Sequence, residues 1–311
     1  MKVPLLLLSL IAVLSGYSQP AGDPPAGKDS SVTCIAHWKP GETRVYTITR
    51  ETKTIAPGTK TPPFSFTYEA WISVLDSSAK GYTIQWIFHI PDSTVLLHPE
   101  MGNPALVYNG LKMRFHVTPS GAFTELLNWE EVREAYTRQM EASLPEKMDS
   151  AATAILDSTK SMFQSKQVVE ASLIQEIQLF HLPFGNTFTS TGTTSSTEID
   201  NPLGAQPLPA TRTIGVLTAD PQKDTCTLVV ILFMEKANTE RLMDSLFKKM
   251  NIQNDEVKKE AREKYATFDM QDYTEYNFFR STGWIRRISY RRIVTMAEMF
   301  QSNSCTITLK E

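Results

Sequence analysis

The sequence predicts an α+β fold in which a large, curved, mainly antiparallel sheet of about ten strands carries amphipathic helices on one face. Three observations lead to this prediction. Segments rich in β-branched and aromatic residues alternate with helical segments, polar and apolar residues alternate inside the strand segments, and short turn signals separate neighbouring strands. Alternation of this kind is typical of a sheet with one buried face and one face in water.

The first part of the domain predicts an antiparallel meander. Its strand segments are Thr43–Thr54, Phe64–Leu75, Gly81–Ile90 and a hairpin within Lys112–Leu127. Turn residues at Pro57-Gly58, Asp76-Ser77-Ser78 and Pro119-Ser120-Gly121 separate them, because proline, glycine and small polar residues favour the backbone angles of tight turns. We therefore expect each strand to pair with the next one along the chain.

The middle of the chain predicts three amphipathic helices. Asn128 caps the first, and Glu131 stands at its third position in a capping-box pattern. Pro145 is a favoured residue for the first turn of the second helix. Ser165 caps the third helix, whose apolar stripe is formed by Val169, Leu173, Ile177 and Phe180. Such stripes are typical of packing surfaces, so we expect these helices to cover the sheet.

The second half repeats this plan. Strands are predicted at Asn186–Ile199, Thr211–Thr218, Thr225–Lys236, Thr267–Arg280, Trp284–Met296 and Ser304–Lys310. Between the third and fourth of these strands stand two helices, one around Leu242–Met250 and one behind the cap Asn254. A single α+β domain over residues 32–311 accounts for the pattern, and a division into two similar halves, 32–181 and 182–311, stays open.

Residues 1–18 predict a cleaved secretion signal. Lys2 provides a positive start, Leu5–Leu14 is an apolar run, and Gly16 and Ser18 are small residues at the spacing that a signal peptidase needs. This run is well below the roughly 20 apolar residues that span a bilayer, so we expect cleavage after Ser18 and no transmembrane segment afterwards. Residues 19–31 are rich in proline, glycine and serine, which predicts a flexible leader.

Export decides the compartment in which the domain works. We expect a periplasmic or extracellular protein, and not a lipoprotein, because Cys34 stands too far from the cleavage site to carry the lipid. A chain of 311 residues with 41% hydrophobic and 21% charged residues is typical of a globular protein. Its formal net charge of −3 indicates no basic surface, so we expect no nucleic acid partner.

Three cysteines, Cys34, Cys226 and Cys305, allow at most one intramolecular disulfide bond. An exported protein meets an oxidising compartment, where such bonds form. We predict the pair Cys226–Cys305, because each residue opens a strand-like run and two such strands could lie side by side. Buried free thiols are the alternative.

Arginines crowd one predicted strand of an otherwise acidic protein, at positions 286, 287, 291 and 292. The period of a strand sends Arg286 and Arg292 to one face of the sheet. One interpretation is that the arginines pair across strands with Asp272 and Glu275. The other is that Arg286 and Arg292 bind an anionic group, such as a phosphate or carboxylate on a glycan or a lipid head group.

No motif for catalysis, a metal ion or a cofactor stands out. The histidines occur singly, without the spacing that places two metal ligands on one helix face. Two Ser-x-x-Lys matches, beginning at Ser77 and Ser245, lack the partner motifs of acyl-serine enzymes. We therefore expect no cofactor and favour a non-enzymatic protein.

Four short motifs resemble recurring landmarks of uncharacterised exported proteins of Bacteroidetes-type bacteria. They are Trp38-Lys39-Pro40-Gly41-Glu42, Val117-Thr118-Pro119-Ser120-Gly121, Leu182-Pro183-Phe184-Gly185-Asn186-Thr187 and Thr282-Gly283-Trp284. In its plan of strands with covering helices, the chain is also similar to periplasmic lipid carriers of the lipoprotein-localisation type. This second resemblance concerns the fold alone, and a fold does not determine an activity.

The preferred function is the binding of an apolar ligand, such as a lipid, or of an envelope partner, such as a protein or a glycan. A ligand carrier of this kind predicts a sizeable apolar cavity between sheet and helices. A secreted hydrolase is one alternative, and it predicts a pocket that holds perturbed acids or a Ser/His pair. A structural or interaction protein of the envelope is the other.

Overall fold

The structure, a computed structural model, describes residues 31–56, 62–90, 108–142, 160, 163–199, 208–234, 240, 243–244, 247–248, 252–265, 269–296 and 298–311. The predicted signal peptide lies outside these residues, as do the leader except Ser31, the turn at Pro57-Gly58 and the helix from Pro145 except Lys160. Of the helix predicted around Leu242–Met250, the described residues include Met243 and Phe247, and both are buried.

Within the described residues the chain forms thirteen strands and four helices. The strands are β1 Val32–Thr33, β2 Thr43–Ile55, β3 Phe64–Ser78, β4 Gly81–His89, β5 Lys112–Val117, β6 Phe123–Leu126, β7 Thr187–Phe188, β8 Thr193–Ile199, β9 Leu208–Asp220, β10 Thr225–Met234, β11 Asp269–Phe279, β12 Ile285–Met296 and β13 Met299–Leu309. The helices are α1 Trp129–Ala142, α2 Lys166–Leu173, α3 Gln175–His181 and α4 Asp255–Tyr265. None of these four helices is long and apolar enough to cross a bilayer.

Eleven of the strands form one antiparallel sheet in the order β6-β5-β4-β3-β2-β13-β12-β11-β10-β9-β8. Two meanders make up this sheet, one from the first half of the chain and one from the second. They join where β2 pairs with β13. The predicted α+β fold with a large antiparallel sheet is confirmed. Similarity between residues 32–181 and 182–311 stays a prediction.

Several strand ends differ from the prediction. Strand β3 continues through Asp76-Ser77-Ser78, and the chain turns at Ala79-Lys80 instead. A register shift beyond Val74 lets these polar residues pair with β4, so a turn-like composition is accommodated within a strand. The predicted strand Asn186–Ile199 is divided into β7 and β8 by a turn that includes Gly192, which has a positive φ of 74°.

The two faces of the sheet differ in burial. On the inner face, which α1, α2 and α3 cover, large side chains such as Tyr46, Trp86 and Tyr276 are fully buried in one core cluster with Val169 and Phe180 of the helices. Each such side chain stabilises the fold by roughly 1.5–3 kcal/mol. The opposite, outer face carries exposed residues, among them Trp71, Leu217, Phe233 and Tyr273.

The helix caps agree with the prediction at two of three positions. The Ser165 hydroxyl accepts a hydrogen bond from the backbone amide of Val168. Asn254 Oδ1 accepts hydrogen bonds from the backbone amides of Glu256 and Val257. Asn128 acts differently, because its Oδ1 accepts the Arg114 amide of β5 while its Nδ2 donates to Glu131. This side chain therefore ties α1 to the sheet.

One end of the sheet is closed by rings, and we call it the aromatic end: Trp38, Tyr82, His181, Phe184 and Trp284. Trp38 stacks on Trp284 with ring centroids 4.8 Å apart, and it meets Phe184 at 5.2 Å and Tyr82 at 5.5 Å. All four motifs that resemble the exported proteins meet here. The amide of Ala36 donates to Ser120 O, that of His37 to Thr282 O and that of Gly185 to Cys34 O.

Two glycines allow this close approach of backbones. Gly283 has a φ of 74°, and a Cβ at this position would lie 2.2 Å from the carbonyl oxygen of Ile35. Gly121 has a φ of 101°, and a Cβ there would lie 2.7 Å from the Phe184 ring. Both positions combine a left-handed backbone with a contact that no side chain fits, so they require glycine.

Candidate functional site

A cavity of about 180 Å³ lies between the middle of the sheet and α3, and we call it the central cavity. Phe66 of β3, Arg50 of β2, Tyr290 and Arg292 of β12, and Glu176 and Leu179 of α3 line it. Thr52, Asn303, Gln175 and Gln178 add neutral polar groups to its wall. The cavity is therefore modest in size and mixed in character, unlike the sizeable apolar one that a carrier predicts.

Strand register explains which side chains meet there. Phe66, Arg50, Cys305 and Tyr290 are consecutive Cα partners across β3, β2, β13 and β12. Side chains on one strand alternate between the faces, so Arg50 follows the buried Tyr46 and Ile48 onto the inner face. The central cavity thus lies across the junction of the two meanders.

Arg50 and Glu176 form an ion pair between the sheet and α3. Glu176 Oε1 contacts Arg50 Nη2, and the same oxygen accepts a hydrogen bond from the hydroxyl of Tyr68. The Glu176 side chain is 7% exposed, whereas that of Arg50 is 36% exposed. One partner is therefore buried, and the other keeps access to solvent.

The electrostatics of this pair keep Arg50 charged. The partial burial of Arg50 opposes its charge, but the Glu176 carboxylate beside it outweighs that effect and holds the pKa of Arg50 above its ordinary value. Burial and the same carboxylate raise the pKa of Tyr68, so this hydroxyl stays protonated and donates to Glu176. The three residues form a charge-compensated polar group between β2, β3 and α3.

A second ion pair lies within the sheet at the cavity wall. Arg292 Nε and Nη2 each donate to one oxygen of Asp272 at 2.7 Å, and the two side chains are 6% and 3% exposed. The two residues are direct Cα partners on β12 and β11. The interpretation of cross-strand pairing is confirmed for Arg292. Such a bidentate geometry satisfies the carboxylate on both oxygens.

The expectation that Arg286 shares a face with Arg292 is wrong. Phe278 pairs with Ile285 and Asn277 with Arg287, so Arg286 is an extra residue in β12. This bulge reverses the alternation, which buries Ile285 and exposes Arg286, whereas Arg292 points to the inner face. Anion binding by Arg286 stays a prediction, but it cannot involve Arg292 on the same face.

The predicted Cys226–Cys305 disulfide is also wrong, because all three cysteines are free and buried. Strands β11 and β12 stand between β10, which carries Cys226, and β13, which carries Cys305. Strands spaced by about 4.8 Å place β10 and β13 roughly 14 Å apart, and the two residues are also offset along the strands, because Cys226 pairs with Phe278 whereas Cys305 pairs with Tyr290. A disulfide bond cannot span this separation. Cys305 instead lines the central cavity, and burial raises the pKa of its thiol to about 12.

His181 lies in the aromatic end. Its Nδ1 donates to the carbonyl oxygen of Gly121 at 2.7 Å, and its ring packs against Trp38, Phe115 and Phe180. Burial lowers the pKa of His181 from 6.5 to about 4, so the ring is neutral at physiological pH. Its Nε2 finds no hydrogen-bond partner among the described residues.

Other features provide less. Within the described ranges no three His, Cys, Asp or Glu side chains come together as a metal site. Ser77 lies exposed at the end of β3, and Ser245 falls outside the described residues. A cleft of about 340 Å³ near Asp224 opens at the surface and is lined by the exposed Arg280 and Ser281 together with the buried Val32 and Phe278.

Sequence reasoning missed Arg50, Tyr68 and Glu176, although signals for them exist. Arg50 and Tyr68 both fall on the apolar face of their strands. Glu176 stands three residues after Leu173 and four before Phe180, which is the apolar stripe of the predicted helix. A charge on an apolar stripe predicts a buried partner. The sequence alone does not indicate which residue pairs with Glu176.

No family model matches this chain, and no curated protein matches it. Three chains among the solved structures match its fold. One is a lipovitellin structure described as "lipid-protein interactions in lipovitellin", with 9% identity and a TM-score of 0.39. The match covers 88% of this chain and 25% of that chain, so the present chain spans a quarter of the lipovitellin chain. It is a remote likeness of fold.

Proposed function

We propose that this chain is an exported, non-enzymatic protein that binds an amphipathic ligand in the central cavity. The observation that carries the proposal is the cavity itself, which lies between sheet and α3 and joins apolar to polar walls. Cavities with mainly apolar surface and a few placed polar groups are the usual form of small-molecule sites. Export is part of the proposal through the predicted signal at residues 1–18.

The size of the cavity limits what it holds. An apolar cavity of about 150 Å³ binds a molecule of the size of benzene. At about 180 Å³ the central cavity therefore accommodates a group of about one ring. A longer ligand must extend past Arg50, whose side chain is 36% exposed and borders the cavity. Phe66, Leu179 and Tyr290 provide the apolar contacts.

Two features support binding rather than catalysis. The Cys305 thiol in the cavity wall has a pKa of about 12, so it stays protonated and is a poor nucleophile at neutral pH. The buried His181 lies in the aromatic end, enclosed by rings, and not in the cavity lining. A general base near Cys305 or Ser304 is not found among the histidines of the described residues.

The test introduces a large side chain into the cavity from β2. Thr52→Trp places a large ring at the cavity wall, whereas Thr49→Trp places the same ring on the outer face of the same strand, beside Thr67. The protein is collected as cells secrete it, and its mass shows whether the chain begins after Ser18. Binding is measured by the fluorescence of the neutral probe N-phenyl-1-naphthylamine, whose phenyl ring enters the cavity while its naphthalene ring extends past Arg50.

We expect the unaltered protein and Thr49→Trp to bind the probe alike, and Thr52→Trp to bind at least tenfold more weakly. Circular dichroism shows whether each variant keeps its sheet. Equal binding by both variants, or no binding by the unaltered protein, would contradict the proposed site.

A further inference from the structure

We propose that the polar part of the ligand is electrically neutral and rich in hydroxyl groups, as a sugar ring or a glycerol group is. This inference rests on the proposed function, because it names the ligand class of the same central cavity. It depends on three observations: the charges that face the cavity interior compensate one another, one of the compensating groups is deeply buried, and the other polar side chains that face the interior are uncharged.

The charged side chains that face the interior of the cavity form two compensated ion pairs. Arg50 is paired with Glu176, and Arg292 is paired with both oxygens of Asp272. Glu51 also borders the cavity, but it is exposed and its carboxylate accepts the hydroxyl of Ser304 on the outer face. Among the described residues, the interior of the cavity therefore presents neither an excess cation nor an excess anion.

A charged head group would have to break this balance. An anion that binds Arg50 competes with Glu176, whose side chain is only 7% exposed. Displacing Arg50 from Glu176 would leave a buried carboxylate whose remaining partner, among the described residues, is the Tyr68 hydroxyl. Because an uncompensated buried charge is strongly unfavourable, the cavity discriminates against anions. A cation would meet the positive charges of Arg50 and Arg292, which repel it.

Neutral hydroxyl groups find suitable partners instead. The side chains of Gln175, Gln178 and Asn303 each contain both a donor and an acceptor, and Thr52 has a hydroxyl with both capacities. A sugar or glycerol hydroxyl has the same dual character. The C–H surface of such a group can pack on Phe66 and Tyr290, which line the same cavity. A single ring also fits the volume of about 180 Å³.

The experiment compares head groups on one chain length. Octyl β-glucoside, octanoate and octylammonium compete with bound N-phenyl-1-naphthylamine at pH 7.5 and constant ionic strength. We expect octyl glucoside to bind at least tenfold more tightly than either charged ligand. Octanoate or octylammonium binding as tightly as the glucoside would overturn this inference while leaving the binding function intact. Failure of the probe and of all three ligands to bind would overturn both.

A charge variant sharpens the test. Glu176→Gln keeps the size of the side chain but leaves Arg50 without its carboxylate, so we expect the ratio of octanoate to glucoside affinity to rise at least tenfold. Glu125→Gln makes the same change at the surface ion pair with Lys166 and should leave the ratio unchanged. Should Glu176→Gln fail to fold, Arg50→Gln replaces it. This variant leaves Glu176 without its cation, so we expect the ratio of octylammonium to glucoside affinity to rise. An unchanged ratio in the folded variant would overturn the inference.

Discussion

The aromatic end and the central cavity lie on the same inner face of the sheet, yet they are built in opposite ways. At the aromatic end, Trp38 and Trp284 stack at 4.8 Å and are 4% and 1% exposed. In the cavity, Arg50 remains 36% exposed beside the charge of Glu176. The first region gains stability from complete burial of rings, and the second gives up part of that burial for polar groups. The difference separates the part that holds the fold together from the part that is available to a ligand.

The largest expected effect comes from breaking the closed region. Trp38→Ala removes a ring that contacts four others, so we expect the free energy of unfolding to fall by about 3–5 kcal/mol, as for other buried large-to-alanine changes. Urea denaturation measures the change. Trp71→Ala is the matched control, since Trp71 is 47% exposed on the outer face. We expect this variant to lose less than about 1 kcal/mol in the free energy of unfolding, as is usual for an exposed site. Equal losses would contradict the assignment of the two faces.

A second prediction compares the two ion pairs. Asp272→Asn leaves Arg292 buried beside a neutral amide, and we expect a loss of about 3–5 kcal/mol in the free energy of unfolding. Glu176→Gln should cost less, because Arg50 can turn part of its guanidinium to solvent. Urea denaturation of both variants side by side tests the order. A larger loss for Glu176→Gln would contradict this order and show that the Arg50–Glu176 pair contributes more to stability than the Arg292–Asp272 pair.

The third prediction concerns pH and the aromatic end. Burial lowers the pKa of His181 to about 4, while the unfolded chain restores 6.5, so between these values the unfolded state binds the additional proton. The contribution of neutral His181 to stability is therefore complete above pH 6.5 and falls as the pH drops towards 4. The loss is on the order of 3 kcal/mol. His181→Gln cannot titrate, so the difference between the two unfolding curves over this pH range isolates the effect. Parallel curves would contradict it.

Much of the sheet could be predicted because strand signals are local. The alternation in Thr43–Thr54 and the β-branched run at Thr225–Lys236 predict strands close to those observed. The helix from Ser165 to Phe180 was less predictable, since the chain breaks at Ile174, with φ −118° and ψ 27°, into α2 and α3. The periodicity of the segment places Glu176 on the apolar stripe, but it does not indicate the break.

The site was less predictable than the fold. Arg292 pairs with Asp272, as one interpretation proposed, because the two strands are neighbours in sequence and a hairpin register follows from their turn. The bulge at Arg286 and the distance between Cys226 and Cys305 depend on the whole sheet. A single extra residue reverses a face, and strand order decides which cysteines can meet.

The sequence by itself determined which segments become strands, which of their faces is apolar, and that consecutive strands pair into meanders. These properties depend on backbone preferences and on side-chain alternation over a few residues. Only the tertiary structure decided that β2 pairs with β13, that four distant motifs form the aromatic end, and that Glu176 meets Arg50. The reason is physical: a buried charge or ring needs a partner, but which partner it finds depends on which elements the folded sheet brings together.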